Sequence, residues 1–540
     1  MTGPGRRSPG SPVVPSIVLS DRLRTHRGSS PSAGERRWDS YPAPLRRALG
    51  FLQGLSPQWR DAFLYGCSAL FAGVTGLAAG IPLYRQWGQM AFGPYLVAAA
   101  LMAVVGWRMG IGTRRADLAP PGDGLRPERS VAVEHQWKVL RLMAFLIVLF
   151  GATVVPLALE VVWASEGNAA LHVQPEVLVV EQAGVRAAHG RDPYRVVDRD
   201  GHIVIHEKTE PVYELYYPYL PGMVLFGFSS SSGRSSGNTV EARLTDARIQ
   251  FLVFTTVIAL IALSRLRPST DARARALQVL TVLPTAALPL ATGGDDMPVV
   301  ALLLLGLAAL QRRRPVLAGL ALGAASSLKF TAWPLVALAA WAAWDLRLHR
   351  AVWRYLAGVA IVVIPVVLPV ALRNPSAFVD NVIRFPLGLA GVSSPAASAM
   401  PGHIFVATFP GAHRAYLVVA GVVGGAVLVR HLIRKPPGNA AQVAGLTGWV
   451  MLIAILLAPA TRVGYLLYPI NLFVWAWMLR QADDPAQMAD GGRERDHDGL
   501  HPATPEPGVD QLSSGSSNSS TENGVIPAEV VGDTTVPTSQ

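Results

Sequence analysis

Residues 298–345 read PVVALLLLGLAALQRRRPVLAGLALGAASSLKFTAWPLVALAAWAAWD. Three apolar runs, 298–311, 315–328 and 331–345, are separated only by Arg312 to Arg314 and by Lys329. The runs show neither the alternation of a half-buried strand nor the polar stripe of a surface helix. Helices apolar on every side belong in lipid or at the centre of a large bundle. The fold class that follows is an all-α polytopic membrane protein.

Working outward, the same pattern fills the chain from residue 61 to residue 480. Spans are predicted near 62–84, 92–111, 141–164, 249–264, 276–291, 298–311, 315–328, 331–345, 352–372, 414–433, 443–459 and 463–480, twelve transmembrane helices in all. Runs of about 15–25 residues suit a hydrocarbon core about 30 Å thick. Over 540 residues the chain is 51% hydrophobic and 15% charged, against about 25% charged in ordinary soluble domains. Its mean hydropathy is +0.33. Most soluble folds are thereby excluded.

The net charge of +11 would point to nucleic acid in a soluble protein. Here the arginines sit in short loops beside apolar runs, where they set topology and meet anionic lipid headgroups; no nucleic-acid partner is expected. Arg114 and Arg115, the Arg265–Arg275 cluster, Arg312 to Arg314, Arg347, Arg350, Arg430 and Lys435 all fall on the cytoplasmic side if twelve spans leave both termini inside. Only four residues are lysine, which with abundant Ala, Gly and Pro fits a high-GC bacterial genome and a multi-pass plasma-membrane protein. Cys67 is the single cysteine, so neither a disulfide nor a cysteine-based metal centre can form within the chain. Residues 1–60, rich in Arg, Ser, Pro and Gly, read as a disordered basic cytoplasmic arm, and 481–540 as a disordered acidic, Ser-rich cytoplasmic tail.

Tyr217 to Phe228 is apolar but too short to span, and crossing there would invert the arginine pattern; it is predicted as a re-entrant or interfacial helix. Non-spanning backbone at that depth requires surrounding protein or a cavity. Two large external loops follow from the topology, about 165–217 and 373–413. The first carries Glu166, Glu176, Glu181, Asp192, Asp198, Asp200, Glu207, Glu210 and Glu214.

Glu176 and Glu181 fall in a stretch, Pro175 to Ala188, fit for an amphipathic helix. Five residues apart, they point about 140° from each other, so one active carboxylate is expected rather than a dyad; both can equally be solvated loop charges. Gly190-Arg191-Asp192-Pro193-Tyr194 reads as a turn. In Tyr216-Tyr217-Pro218-Tyr219-Leu220-Pro221 the tyrosines suit a membrane-interface belt or the walls of a sugar site. Lys329, a cation between apolar half-spans, marks either a functional site or a snorkelling helix end. Arg462, Arg373, Arg384 and His403 join it on the predicted external side, a cationic set suited to a phosphate leaving group. Asp295 and Asp296, after Gly293-Gly294, read as turn residues.

With these residues in view, the chain resembles the polyprenyl-phosphate-sugar-dependent glycosyltransferases of the GT-C superfamily, specifically glycosyltransferase family 87. The resemblance rests on Gly190…Asp192-Pro193-Tyr194, on Tyr217-Pro218-Tyr219-Leu220-Pro221, on Arg314-Pro315 through Gly323 to Leu328-Lys329 and Pro334, and on Ala458-Pro459 to Tyr465. It covers about residues 140–480, and the two spans before it look like an addition. It implies inverting transfer of a sugar, often mannose, from a polyprenyl-phosphate carrier to a lipid or glycan acceptor outside the membrane, with no cofactor, nucleotide-sugar site or metal. Counting back from Asp-Pro-Tyr to the family's catalytic aspartate lands on Glu176, with Glu181 the second candidate. The resemblance gives substrate-binding roles to Asp192, Tyr194, Tyr217, Tyr219 and His403, and lipid-phosphate binding to Lys329, Arg462 and Arg384. Gly391-Val392-Ser393-Ser394-Pro395 stands where the family carries an Asn/Ser-rich stretch. A lipid or sugar transporter, or an inactive scaffold, are the competing expectations; the first is disfavoured by the lack of an internal repeat.

Overall fold

The computed structural model describes residues 54–117, 126–194, 212–230, 239–266, 269–345, 349–392 and 394–482. The two terminal arms lie almost wholly outside these residues, as do Asp198, Asp200, Glu207 and Glu210 of the first loop. Prolines open many of the helices, because a missing N–H costs nothing in the first turn. Pro57, Pro82, Pro175, Pro284, Pro315, Pro375 and Pro401 each stand at a helix start.

Helices α1 (Pro57–Ala78) and α2 (Pro82–Asp117) pack together as a hairpin. Next come α3 (Arg126–Val148), a π-turn at Leu149–Val154 and α4 (Val155–Trp163). The Trp87 indole donates to the carbonyl of Ala152 within the π-turn at 2.8 Å, and the Tyr95 hydroxyl donates to the Val282 carbonyl at 2.5 Å. The short α5 (Ala169–His172) leads into α6 (Pro175–Ala188), which has the bounds expected of the amphipathic stretch.

Helices α7 (Thr239–Leu244) and α8 (Ala247–Ser264) precede a broken pair, α9 (Thr270–Thr281) and α10 (Pro284–Thr292). The apolar segments of this pair meet at a 41° bend. Then follow α11 (Asp296–Gln311), α12 (Pro315–Leu328) and α13 (Trp333–Asp345), with α14 (His349–Arg373) and the short α15 (Pro375–Val379) after them. The chain closes with α16 (Pro401–Thr408), α17 (His413–Arg434), α18 (Ala440–Leu457) and α19 (Leu467–Ala482). Apolar on all sides, α11 is buried along nearly its whole length and packs against α8, α12 and α18. No strand occurs among the described residues; a single parallel bridge pairs Ala397 with Thr461.

Among the described residues seven helices are long and apolar enough to cross a membrane, or eight with the broken pair counted as one. The expected twelve are not reached by this measure. In place of four predicted spans stand α11, α12, α13 and α19, of 16, 14, 13 and 16 residues. Such lengths fall short of the roughly 17 residues a spanning helix needs. The arginine turn at 312–314 and the extended backbone at Lys329 cut one long apolar stretch into short helices. The predicted re-entrant segment is a 3₁₀ helix, Pro221–Gly227, largely buried. It packs against α6, where the backbones of Gly184 and Gly227 meet without room for a Cβ, and Leu220 N–H bonds the Leu328 carbonyl at 3.0 Å.

Candidate functional site

Charged side chains converge where helices end. Glu176 lies in the first turn of α6, Asp295 just before α11 and Asp296 in its first turn, all at N-termini whose dipoles favour carboxylates. Lys329 follows the C-terminus of α12, where a cation is favoured. Arg462 stands in the turn between α18 and α19. That turn is pinned by the second predicted loop: Thr461 N–H bonds the Ala396 carbonyl at 2.8 Å, and Ser398 N–H the Thr461 carbonyl at 2.9 Å.

Gly293 decides how the acidic turn meets α6. Its φ of +116° is one that L side chains rarely adopt, and a Cβ there would run into Val177, next to Glu176. Behind the turn, the Gln174 amide donates to the hydroxyls of Tyr84 (3.1 Å) and Thr292 (2.7 Å), tying α2, α6 and α10 together just ahead of Glu176.

Lys329 Nζ lies 3.1 Å from Asp295 Oδ1 and 2.6 Å from Asp296 Oδ1. The Tyr219 and Tyr465 rings flank the ammonium, with centroids at 5.2 and 5.6 Å. Asp296 Oδ1 also accepts from the Tyr468 hydroxyl at 2.6 Å, and Thr331 donates to that hydroxyl at 2.6 Å. Arg462 forms an ion pair with Oε1 of Glu176. Oε2 of Glu176, Oδ2 of Asp295 and the Tyr217 hydroxyl are buried without a hydrogen-bond partner. Burial pushes the Asp295 carboxyl up to about 6 against the pull of Lys329, with Asp296 and Glu176 acting in the same direction as burial. Burial opposes the charge on Lys329, but the two aspartates outweigh it and hold the ammonium protonated above its ordinary range.

Of the residues singled out from sequence, Glu176, Tyr219, Lys329 and Arg462 therefore come together, with Tyr217 beside them. Its ring lies between those of Tyr194 and Tyr219, at 5.6 and 5.3 Å, and its N–H donates to Asn381 Oδ1 at 2.7 Å. Tyr194 supports this wall by donating to the Tyr219 carbonyl at 2.8 Å. Asp192 shapes the turn before it, accepting from Tyr194 N–H at 2.9 Å, while Arg186 donates to the Asp192 carbonyl at 2.8 Å. Glu181 points elsewhere: it is buried and accepts the Ala247 N–H at the start of α8, 3.2 Å away. His403 Nδ1 lies 2.8 Å from the Pro459 carbonyl. Arg384 is 44% exposed and sits 3.8 Å from Asp380, one turn earlier. Arg373 donates to the Gly190 carbonyl at 3.1 Å. Glu181, His403, Arg384 and Arg373 are thus bound to local partners rather than to the cluster.

Asp295 and Asp296, expected to be turn residues, are the partners of Lys329. The available signal was one of charge: a lysine between apolar half-helices needs a counter-ion, and an acid pair between two other apolar helices offers one. Tyr465, Tyr468 and Tyr84 carried no such signal. Among the described residues no group of three or more His, Cys, Asp or Glu side chains is arranged to hold a metal ion.

Residues 242–459 match the family described as Glycosyltransferase family 87. The matched stretch contains Asp295, Asp296 and Lys329, begins after Glu176 and ends just before Arg462. It supports a glycosyltransferase of that family. No curated protein and no solved structure matches the chain.

Proposed function

We propose that this protein is an integral membrane glycosyltransferase that moves a sugar, mannose in the first instance, from a polyprenyl-phosphate carrier to a hydroxyl of a lipid or glycan acceptor in the bacterial cell envelope. The family match supports sugar transfer, and the long apolar helices support a membrane-embedded enzyme. One observation carries the chemistry: Glu176 is held by Arg462 through Oε1 while its Oε2 is unpaired, in one cluster with Lys329 and beside aromatic faces.

In this mechanism Oε2 of Glu176 takes the proton of the acceptor hydroxyl as that oxygen attacks the anomeric carbon. The bond from the anomeric carbon to the phosphate oxygen breaks, and its electron pair leaves with polyprenyl phosphate. A single displacement inverts the anomeric configuration. Arg462 and Lys329 offset charge where it accumulates on the leaving phosphate. The positive-inside pattern of the twelve-run reading supports a site on the external face with both termini in the cytoplasm.

The test is turnover by the full chain in nanodiscs. Polyprenyl-phosphate mannose and a cell-envelope lipid extract are supplied, and release of polyprenyl phosphate is followed for wild type and Glu176→Gln. Release by wild type with loss in the variant is the expected result. No release with mannose, glucose or arabinose donors would leave the transporter or scaffold as the better account, and full activity of Glu176→Gln would remove Glu176 as the base.

A further inference from the structure

We infer that Asp295 is a second substrate-binding carboxylate, whose Oδ2 accepts a hydrogen bond from one hydroxyl of the donor's sugar ring. The inference rests on the glycosyl-transfer function proposed above and names a contact within that site.

Asp295 is 3% exposed, and its two oxygens differ. Oδ1 faces Lys329 at 3.1 Å and the Tyr219 hydroxyl interacts with the same carboxylate, whereas Oδ2 is buried and makes no hydrogen bond. A buried carboxylate oxygen left without a donor is costly, and native structures rarely leave one without a reason. Asp296, the next residue, shows the satisfied alternative, since its Oδ1 receives both Lys329 and the Tyr468 hydroxyl. Asp295 is held rigidly as well: Gly293 N–H and Gly294 N–H both bond the Pro289 carbonyl, at 2.8 and 2.5 Å.

The missing partner must be a hydrogen-bond donor. A deprotonated phosphate offers only acceptors, and three carboxylates already face two cations here, so a further anion does not fit against Oδ2. A neutral, hydroxyl-rich group does. The Tyr217 hydroxyl, also unpaired, offers a further polar contact to such a ring, and the Tyr219 face lies alongside. The lipid phosphate then belongs toward Arg462, and the sugar toward Asp295.

The experiment is a cycle between protein and substrate. Wild type and Asp295→Asn, as full chains in nanodiscs, are assayed with the parent polyprenyl-phosphate hexose and with its 2-, 3-, 4- and 6-deoxy analogues. One deoxy donor is expected to lose about tenfold to a hundredfold in kcat/KM on wild type, the range for a hydrogen bond to a charged group. Asp295→Asn is expected to lose a similar factor with the parent and nothing further with that one analogue. Losses that multiply independently at every position would overturn the assignment. Asp296→Asn serves as the control and should weaken all donors alike. If Asp295→Asn does not fold, Asp295→Glu keeps the counter-charge of Lys329 while displacing the acceptor oxygen. Loss of discrimination at a single position supports the contact, and retained wild-type discrimination refutes it. Failure of wild type to turn over any donor would instead count against the proposed function itself.

Discussion

Two ion clusters occupy opposite ends of the broken helix pair α9–α10, separated by on the order of 30 Å of helix. Near its start, Asp61 of α1, Arg141 of α3 and Asp271 and Arg275 of α9 form one. Asp61 is fully buried; its Oδ1 accepts from Arg275 at 2.5 Å and Gln278 at 2.7 Å, and its Oδ2 lies 2.7 Å from Arg141 Nε. Asp271 lies 2.8 Å from Arg141 and 3.5 Å from Arg60. Three arginines there face two aspartates. Past the end of α10 the balance reverses, with three carboxylates facing two cations, and oxygens of Glu176 and Asp295 stay unpaired. The first cluster directs cations at both oxygens of its buried carboxylate, although Asp61 Oδ2 makes no hydrogen bond either, and it ties the N-terminal hairpin to the bundle. Charge burial and an acceptor without a hydrogen bond are thus common to both clusters. The sign of the charge balance is what differs.

The largest effect that could break this comparison belongs to Glu176. Glu176→Gln should lower kcat by about 10²–10⁴, the usual contribution of a general base, with only a small fall in apparent melting temperature, because its pair with Arg462 is partly exposed. Asp61→Asn should do the opposite. It strands Arg141 and Arg275 without their buried counter-charge, a loss of about 3–5 kcal/mol, read as a fall in thermal unfolding temperature in detergent while KM of the folded enzyme holds. If Asp61→Asn altered donor selectivity instead, the two clusters would not divide as described.

Gly293→Ala sharpens the functional side. Its left-handed backbone costs about 1–2 kcal/mol with any Cβ, and the clash with Val177 should push the acidic turn away from Glu176, lowering both stability and kcat. The pH profile tests Asp295 directly. Since burial raises this carboxyl to about 6, it accepts a hydrogen bond above that pH and loses the ability as protons bind below it. kcat/KM should therefore fall as pH drops through about 6, and Asp295→Asn should remove that limb. The smallest effect is expected of Arg60→Ala: its pair with Asp271 is about a quarter exposed at both ends, and such pairs contribute roughly 0–1 kcal/mol.

Much of the site was legible because its members violate local expectation. Lys329 interrupts an apolar stretch, Arg462 follows an apolar helix, and Glu176 opens a helix of predictable bounds. Helical geometry argues against Glu176 and Glu181 acting as a dyad without choosing between them, and the structure turns Glu181 toward α8. The pairing of Lys329 with Asp295 and Asp296 was not legible, because 33 or more residues separate them and nothing local records which helix ends meet. Tyr84 was hidden for the same reason: the N-terminal hairpin looked like an addition, yet it reaches the residues just ahead of Glu176 through Gln174.

By itself the sequence determined an all-helical, lipid-compatible chain, with many helix starts set by proline and charge sparse within the apolar runs. These are local consequences of backbone geometry and of the cost of charge in hydrocarbon. Tertiary structure alone decided that several apolar runs become short buried helices, and that opposite charges from four separate helix ends meet around a few unpaired oxygens. Burial makes an isolated charge so costly that only packing can reveal which distant partner offsets it.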